Sequence, residues 1–294
     1  MNSLAGPVDL CGLRLAHPII NASGTFDAIA GRRAFGNAAL ERFPFSAYVS
    51  KTITPEARVG NPPPRLWEEP AGLVNSIGLP NKGAAGFLET DLPLLAELPV
   101  PLIVSVMATS REGFAGLVEG VADRDEVDAI ELNVSCPNVH SGLIVGEQPA
   151  ETEALLGELR PLTSKPLIVK LTPNVAAPAS IALAAERGGA DAISLINTLK
   201  AAPLASGGGP WLGAGSGGLS GPAVRTIALK QVADVVAAVS VPVIGMGGVE
   251  RGSHARDLLA AGAAAVAVGT ASFRDPLAAE RIRGELDGVW SSPT

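Results

Sequence analysis

The sequence predicts an α/β fold in which eight parallel strands and their helical crossovers close into a (β/α)8 barrel of the TIM type. Short runs rich in Val and Ile recur along the 294 residues, as expected of strands buried on both faces. Helical patterns separate most of these runs. Gly and Pro are spread along the chain rather than gathered in one linker. We therefore expect residues 1–294 to form a single domain, with an open doubly wound sheet as the alternative.

The predicted strands are, in order, 18–22, 47–51, 102–106, 129–134, 167–171, 192–196, 243–246 and 265–268. A further short strand is predicted around Cys11, before the first of them. The clearest helical patterns cover 149–162, 178–187, 223–239 and 254–261. The last pattern stops at Gly262, as a helix that ends on a glycine C-cap does.

Two connections are long, from Thr52 to about Gly83 and from Asn197 to about Pro222, and both are rich in Gly and Pro. Connections of this length in a compact domain are usually lids or binding loops. Both follow the C-terminal ends of strands, where the active sites of barrels lie. We therefore expect long active-site loops at that end.

Composition excludes several classes of function. The two cysteines, Cys11 and Cys136, form neither a disulfide framework nor a zinc pattern, and no metal site is predicted. A net charge of −7 without a dense basic stretch argues against nucleic acid as a partner. The start of the chain lacks the pattern of a signal peptide, and the longest uncharged apolar stretch, 258–273, contains two glycines. We therefore predict a cytoplasmic protein that does not enter the membrane.

Polar residues at the ends of predicted strands are the main signal for a site. Lys51, Asn133, Lys170 and the pair Asn197–Thr198 each close an apolar strand. Any one of them could simply cap a loop. Four on the same end of a barrel indicate a functional site, because charged groups at buried strand ends need partners.

Glycines at the ends of the last two strands predict a phosphate site. Gly247 and Gly248 end the seventh strand, and Gly269 with Thr270 ends the eighth. Loops after these two strands commonly bind phosphate in barrels. A donor-rich segment that ends at Gly221 precedes a helix and adds to this pattern. Ordinary structural turns are the alternative.

Cys136 follows a strand end, in a loop with two asparagines. It could be a small buried hydrophobe, or it could act as a base, since a thiol with an ordinary pKa of about 8.5 accepts a proton when its thiolate is accessible. No His or Asp lies beside it to form a hydrolytic dyad. The amides of Asn75, Asn133, Asn138 and Asn197 suit a planar ligand that alternates carbonyl and N–H groups, such as a pyrimidine.

The chain resembles the class 1 dihydroorotate dehydrogenases, and among them the B type. The resemblance covers roughly residues 4–276. The motifs that carry it are NASGTF (21–26), SKT (50–52), GNPPPR (60–65), NSIGLPN (75–81), ELNVSCPN (131–138), INT (196–198), GGLSGP (217–222) and GMGG (245–248).

The resemblance implies oxidation of dihydroorotate to orotate with FMN, in the pyrimidine pathway that leads to UMP. It implies that Cys136 removes the proton from C5 while hydride from C6 passes to N5 of FMN. The residues that it places at the substrate are Lys51, Asn75, Ser76, Ile77, Gly78, Leu79, Asn133, Asn138, Asn197 and Thr198. Those that it places at the flavin are Ser23, Lys51, Thr52, Ser105, Asn133, Lys170, Ile196, Gly221, Gly247, Gly248, Gly269 and Thr270. In this scheme Lys170 lies by the flavin N1/C2 carbonyl edge, where a cation stabilises the charge of the reduced ring.

The B-type resemblance implies a partner. B-type chains pair with a subunit that carries FAD and an iron–sulfur cluster and that passes electrons to NAD, so a homodimer or a heterotetramer with that subunit is expected. This chain lacks cysteines for such a cluster. It also departs from the B-type pattern at Ser105, where many B-type chains carry Asn, and at Ser141–Gly142 and Val145–Gly146, where Gly-Gly and Phe-Gly are usual.

The departures bear on the electron acceptor more than on the oxidation of dihydroorotate. The alternatives are a type-A-like enzyme that reduces fumarate, a relative that acts on another dihydropyrimidine, and an inactive flavin-binding scaffold. The last would require the loss of catalytic groups, yet Lys51, Cys136 and Lys170 are all present.

Overall fold

The structure, a computed structural model, describes residues 4–134 and 145–288. Its central sheet consists of the parallel strands β1 (Ile19–Asn21), β2 (Tyr48–Val49), β3 (Leu102–Val106), β4 (Ala129–Asn133), β5 (Leu167–Lys170), β6 (Ala192–Leu195), β7 (Val243–Met246) and β8 (Ala265–Val268). Ladders join them in the order β1-β8-β7-β6-β5-β4-β3-β2. Because the first strand pairs with the last, the sheet curls into a barrel. The predicted fold class is confirmed, and an open doubly wound sheet is excluded.

Helices lie between successive strands, and two more follow β8. They are α1 (Ala28–Phe35), α2 (Ala38–Glu41), α3 (Gly83–Gly86), α4 (Leu92–Leu95), α5 (Arg111–Ala122), α6 (Pro149–Leu159), α7 (Pro178–Arg187), α8 (Arg225–Ala238), α9 (Gly252–Ala260), α10 (Ala271–Arg274) and α11 (Ala278–Leu286). The predicted helix 149–162 ends as a 3-10 turn, Arg160–Leu162, where Pro161 lacks the N–H that a continuing α-helix needs. Within the described ranges, no helix is long and apolar enough to cross a membrane.

The interior of the barrel has an apolar lower layer and a polar upper layer. Residues that point inward near the strand starts, such as Ile103, Ala129 and Ile168, form one apolar cluster. An antiparallel hairpin, Val8–Leu10 with Leu13–Leu15, packs into this cluster from below. Two residues further along the same strands the inward side chains are polar, which places the chemistry at the C-terminal end of the barrel.

The side chain of Asn21 closes the seam between β1 and β2. Its Nδ2 donates to the carbonyl oxygen of Val49 at 2.8 Å, and its Oδ1 accepts from the N–H of Val49 at 2.8 Å. The amide therefore replaces a pair of ladder hydrogen bonds between the strands. Ser46 adds a main-chain bond from its N–H to the carbonyl oxygen of Ile19 at 3.0 Å.

The two long connections contain a sheet of their own. An antiparallel four-stranded sheet is formed by Leu66–Glu69, Gly72–Asn75, Gly217–Ser220 and Leu199–Ala201, in that order. The two long connections thus contain regular strands that the sequence did not predict. The strands have only three or four residues each, and the two halves of the sheet are far apart in sequence, so the local pattern did not predict them.

We expect Asn21→Ala to lower the free energy of unfolding by about 2–4 kcal/mol, because it leaves a buried N–H and a buried C=O of Val49 without partners. Urea denaturation at equal FMN loading measures the effect. Asn37→Ala is the matched control, since Asn37 is exposed and makes no capping hydrogen bond to α2. A loss no larger than that of the control would contradict the role of Asn21 in closure.

Candidate active site

A buried carboxylate organises the upper layer of the barrel. Glu131 on β4 accepts a hydrogen bond at Oε1 from Ser105 Oγ (3.0 Å) and at Oε2 from Ser194 Oγ (3.2 Å). Lys170 Nζ lies 3.9 Å from Oε1. The lysine and the glutamate are both almost fully buried. This arrangement keeps a cation inside the barrel without an uncompensated charge.

Hydrogen bonds join several of the predicted site residues into one chain. Thr52 Oγ1 lies 2.9 Å from Ser105 Oγ and 3.1 Å from Ser23 Oγ, and it accepts from Asn133 Nδ2 at 3.3 Å. Asn197 Nδ2 in turn donates to Asn133 Oδ1 at 3.5 Å. The structure thus brings together residues that lie in or just after five strands, and among them are Asn133 and Asn197, whose strand-end positions predicted a common site.

Lys51 reaches toward the loop that follows β1. Its side chain packs beside Gly24, where a Cβ would lie 3.7 Å from Cγ of the lysine. Burial against surrounding protein lowers the pKa of the Lys51 ammonium, and the carboxylate of Asp27 partly opposes this shift. The side chain is nevertheless accessible from an adjoining cavity, so it can meet a ligand there.

That cavity, of about 1440 Å³, extends from Lys51 to the protein surface. Its walls come from α1, α2, the segment before α4, and α10, and they are mainly apolar. Phe35, Phe273 and Leu277 are exposed residues of its lining. The sequence did not predict this cavity, because its walls belong to helices that no clear pattern marked.

The predicted phosphate residues converge. Gly221, Gly247 and Gly248 have φ of +91°, +129° and +68°, in the region that favours glycine. A Cβ on Gly248 would lie 2.9 Å from the carbonyl oxygen of Gly221, and a Cβ on Gly221 would lie 3.6 Å from Cγ2 of Thr270. Gly269 precedes Thr270, and a Cβ there would make ordinary contacts with Cβ of Ala22 at 3.6 Å and with Cγ2 of Thr25 at 3.7 Å.

The remaining flavin residue, Ile196, packs against this cluster. A Cβ on Gly247 would lie 3.1 Å from Cγ1 of Ile196, whose N–H donates to the carbonyl oxygen of Met246 at 3.0 Å. Gly221 lies just before the turn that leads into α8, and the first turn of a helix is where an anion site is expected.

The four-stranded sheet positions the next group. Asn75 Nδ2 donates to the carbonyl oxygen of Gly218 at 3.3 Å. Thr198 packs so closely on Gly218 that no Cβ would fit there, and its N–H donates to Asn197 Oδ1 at 2.8 Å. Asn75 and Thr198 thus meet at Gly218, and Thr198 continues to the chain of hydrogen bonds through Asn197.

Residues 76–79 form a loop held from outside the barrel. The hydroxyl of Ser76 accepts from Asn61 Nδ2 at 3.0 Å, and the carbonyl oxygen of Ile77 accepts from the N–H of Asn61 at 3.0 Å. Gly78 and Leu79 have φ of +75° and +55°. The hydrogen bonds of this loop to other described residues run to Arg58, to 61–65 and to Asn81, and they fix the loop from the side of the long connection. Cys136 and Asn138 lie outside the described residues.

Glu131 and Ser194 are site residues to which sequence reasoning gave no role. The signal for Glu131 was available, since a carboxylate inside an apolar strand demands partners. Ser194 gave no such signal, because a serine in a buried strand is common. Their pairing follows from strand register, in which Ser105 faces Glu131 and Ser194 faces Lys170.

The sequence matches the family model described as dihydroorotate dehydrogenase over residues 7–289. The chain belongs to the dihydroorotate dehydrogenase family. The family predicted from the motifs is therefore confirmed, and with it the prediction that the chain is an FMN-dependent oxidoreductase.

Relatives of this dihydroorotate dehydrogenase family member carry two kinds of name. This chain is 41% identical to the "dihydroorotate dehydrogenase B (NAD(+)), catalytic subunit" of Geobacter metallireducens, over 95% of this chain and 91% of the relative. It is also 41% identical to the "putative dihydroorotate dehydrogenase A (fumarate)" of Solibacter usitatus, over 94% and 90% of the two chains. A solved structure of DHODH from Eimeria tenella in complex with ferulenol superposes with a TM-score of 0.78 at 22% identity, covering 96% and 84%, which supports the barrel fold.

Dihydroorotate dehydrogenases use FMN, and the residues present fit that cofactor. Gly221, Gly247 and Gly248 come together with backbone angles that favour glycine, the residue that lets the main chain approach an anion closely. Lys170 supplies a buried cation, and the hydroxyls of Ser23 and Thr52 supply uncharged donors nearby. The donor set therefore matches a ligand with a phosphate at one end and a polar ring at the other.

We expect Gly248→Ala to weaken FMN binding at least tenfold, because a Cβ would lie 2.8 Å from Cβ of Arg225 and 2.9 Å from the carbonyl oxygen of Gly221. Flavin fluorescence titration measures the Kd. Riboflavin, which lacks the phosphate, should lose much less affinity. Gly157→Ala in α6 is the matched control, since its Cβ would meet nothing within 4 Å. Equal losses for FMN and riboflavin would contradict a phosphate site at Gly248.

Proposed function

We propose that this chain is a catalytic subunit that oxidises dihydroorotate to orotate with FMN in pyrimidine biosynthesis, and that Cys136 is its base. The observation that carries the proposal is the chain of hydrogen bonds that links Asn197, Asn133 and Thr52 beside the Lys170–Glu131 pair. It joins uncharged amides to a buried cation at the end of the barrel where barrel enzymes bind their substrates.

The amides suit the substrate. A dihydropyrimidine ring alternates carbonyl and N–H groups, and an Asn side chain can donate to one and accept from the other. We assign ring and carboxylate binding to Asn75, Asn133, Asn138, Asn197 and Thr198, with the loop 76–79 along one side. Lys51, with its accessible ammonium, lies between the substrate and the flavin in this scheme.

The reaction removes two hydrogens and forms the C5=C6 double bond. Cys136, as thiolate, takes the C5 proton and becomes a thiol. FMN, when bound, supplies the acceptor for the hydride that leaves C6. Lys170 holds a positive charge near the place where negative charge then develops. The hydrogen-bonded amides hold the ring so that both hydrogens leave from a fixed geometry.

The test is anaerobic reduction of the FMN-loaded protein by dihydroorotate. We expect the visible absorbance of the flavin to bleach on addition of substrate. We expect Cys136→Ala to bind FMN normally but to slow bleaching about 10²–10⁴-fold, the usual contribution of a general base. Stopped-flow absorbance measures both rates.

Cys11→Ala is the matched control. Burial, with a smaller contribution from Asp191 and Asp9, raises the pKa of the Cys11 thiol to about 12, so it stays protonated and unreactive at neutral pH. This variant should reduce flavin at the wild-type rate. Absence of bleaching in the wild type would overturn the proposed activity, whereas fast bleaching in Cys136→Ala would overturn only the assignment of the base.

We further propose that electrons leave to NAD through a partner subunit with FAD and an iron–sulfur cluster, in a heterotetramer built on a homodimer. The B-type name of the Geobacter metallireducens relative supports this route. A second candidate acceptor is fumarate, because the Solibacter usitatus relative of equal identity carries a type A name. Exposed Phe35 and Phe273 at the cavity beside Lys51 offer the partner an apolar contact surface.

We expect the double variant Phe35→Ser/Phe273→Ser to keep dihydroorotate-driven dye reduction but to lose most NAD reduction in the presence of the co-purified partner. Leu183→Ser is the control, since Leu183 is a partly exposed residue of α7, outside the cavity wall. Steady-state assays with dye, NAD and fumarate separate the routes. Turnover with fumarate by the chain alone would contradict the B-type acceptor.

A further inference from the structure

Glu131 occupies a position where a carboxylate is strongly disfavoured. Its side chain is 4% exposed, and it lies in the middle of β4 among inward-facing residues of the barrel. A buried carboxylate persists only when hydrogen bonds and an opposite charge offset the loss of water. Packing alone therefore does not explain why a carboxylate occupies this position.

Groups from three other strands converge on this carboxylate. Ser105 on β3 donates to one oxygen, and Ser194 on β6 donates to the other. Lys170 on β5 provides the positive charge. Ser105 lies directly opposite Glu131 on the adjacent strand, and Ser194 lies directly opposite Lys170, so the carboxylate meets polar groups on both sides.

The distance to Lys170 is informative. At 3.9 Å, Nζ and Oε1 form an ion pair but not a hydrogen bond. The carboxylate therefore stabilises the charge of the Lys170 ammonium without accepting a hydrogen bond from it. Among the described residues, none accepts a hydrogen bond from Lys170 Nζ, so its donors can serve a bound ligand.

We propose that Glu131 is a positioning residue that orients Lys170 toward the flavin and offsets part of its charge, which keeps the midpoint potential of the flavin below the value that Lys170 alone would set. The inference rests on the proposed function, because it takes Lys170 to face the flavin. A positive charge near the ring favours the reduced, negatively charged form, and a neighbouring carboxylate opposes that effect.

The test is the potential of FMN bound to Glu131→Gln, a substitution that keeps the shape and an acceptor for Ser105. We expect the equilibrium between oxidised and reduced flavin to shift at least tenfold toward the reduced form, which is about 30 mV for a two-electron couple. Chemical reduction against a reference dye measures it without dihydroorotate. Sulfite, which adds to the flavin and leaves negative charge on the ring, should also bind at least tenfold more tightly.

Glu153→Gln is the matched control. Glu153 forms an exposed ion pair with Arg187, so this variant makes the same chemical change at the surface. Its flavin potential and sulfite affinity should equal those of the wild type. A shift as large as that of Glu131→Gln would overturn a specific role for Glu131.

A wild-type or lower potential in Glu131→Gln overturns the proposal. Should that variant not fold, the double variant Glu131→Gln/Lys170→Met removes both charges and leaves no unpaired ion. Because Glu131 offsets only part of the charge of Lys170, the flavin equilibrium in this double variant should lie at the wild-type position or toward the oxidised form, and a shift of tenfold or more toward the reduced form would overturn the proposal. Because neither measurement uses dihydroorotate, failure here is distinguishable from a failure of flavin bleaching by the substrate.

Discussion

The geometry of the site depends on how the barrel closes between β1 and β2. No ladder of main-chain hydrogen bonds joins these strands, and the amide of Asn21 takes its place with two short bonds to Val49. Ser23 follows β1 and Thr52 follows β2, so the seam sets how near these two hydroxyls come. Since Thr52 also accepts from Asn133, a change at the seam would propagate to the amides that face the ligand.

The free-energy cost of removing a charge from water explains where the barrel carries charged residues. The lower layer of the barrel is apolar and tolerates no charge, whereas the upper layer carries Glu131 and Lys170 together. Each charge is acceptable only because of the other and because serines satisfy the carboxylate. In the upper layer, fixed charged and polar groups thus replace apolar packing. Such preorganised groups stabilise charge that develops on a bound flavin without having to rearrange.

The sequence predicted the parts whose signals are local. Runs of Val and Ile marked all eight strands, and Lys51, Asn133 and Lys170 marked the ends where chemistry gathers. It could not predict the partners of Glu131, because in strands buried on both faces the alternation that separates inward from outward residues is hidden. The closing role of Asn21 was missed for a related reason, since an amide that replaces main-chain bonds has no pattern of its own.

The four-stranded sheet over the barrel links Asn75 to Gly218, which are 143 residues apart in the chain. Between them lie β3, β4, β5 and β6, which must be made before the two halves of this sheet can meet. Loop closure over such a span is entropically costly until the intervening barrel brings the ends together. During synthesis, a chain that has emerged only as far as β6 therefore has the first two strands of this sheet but lacks the two strands that complete it over the barrel.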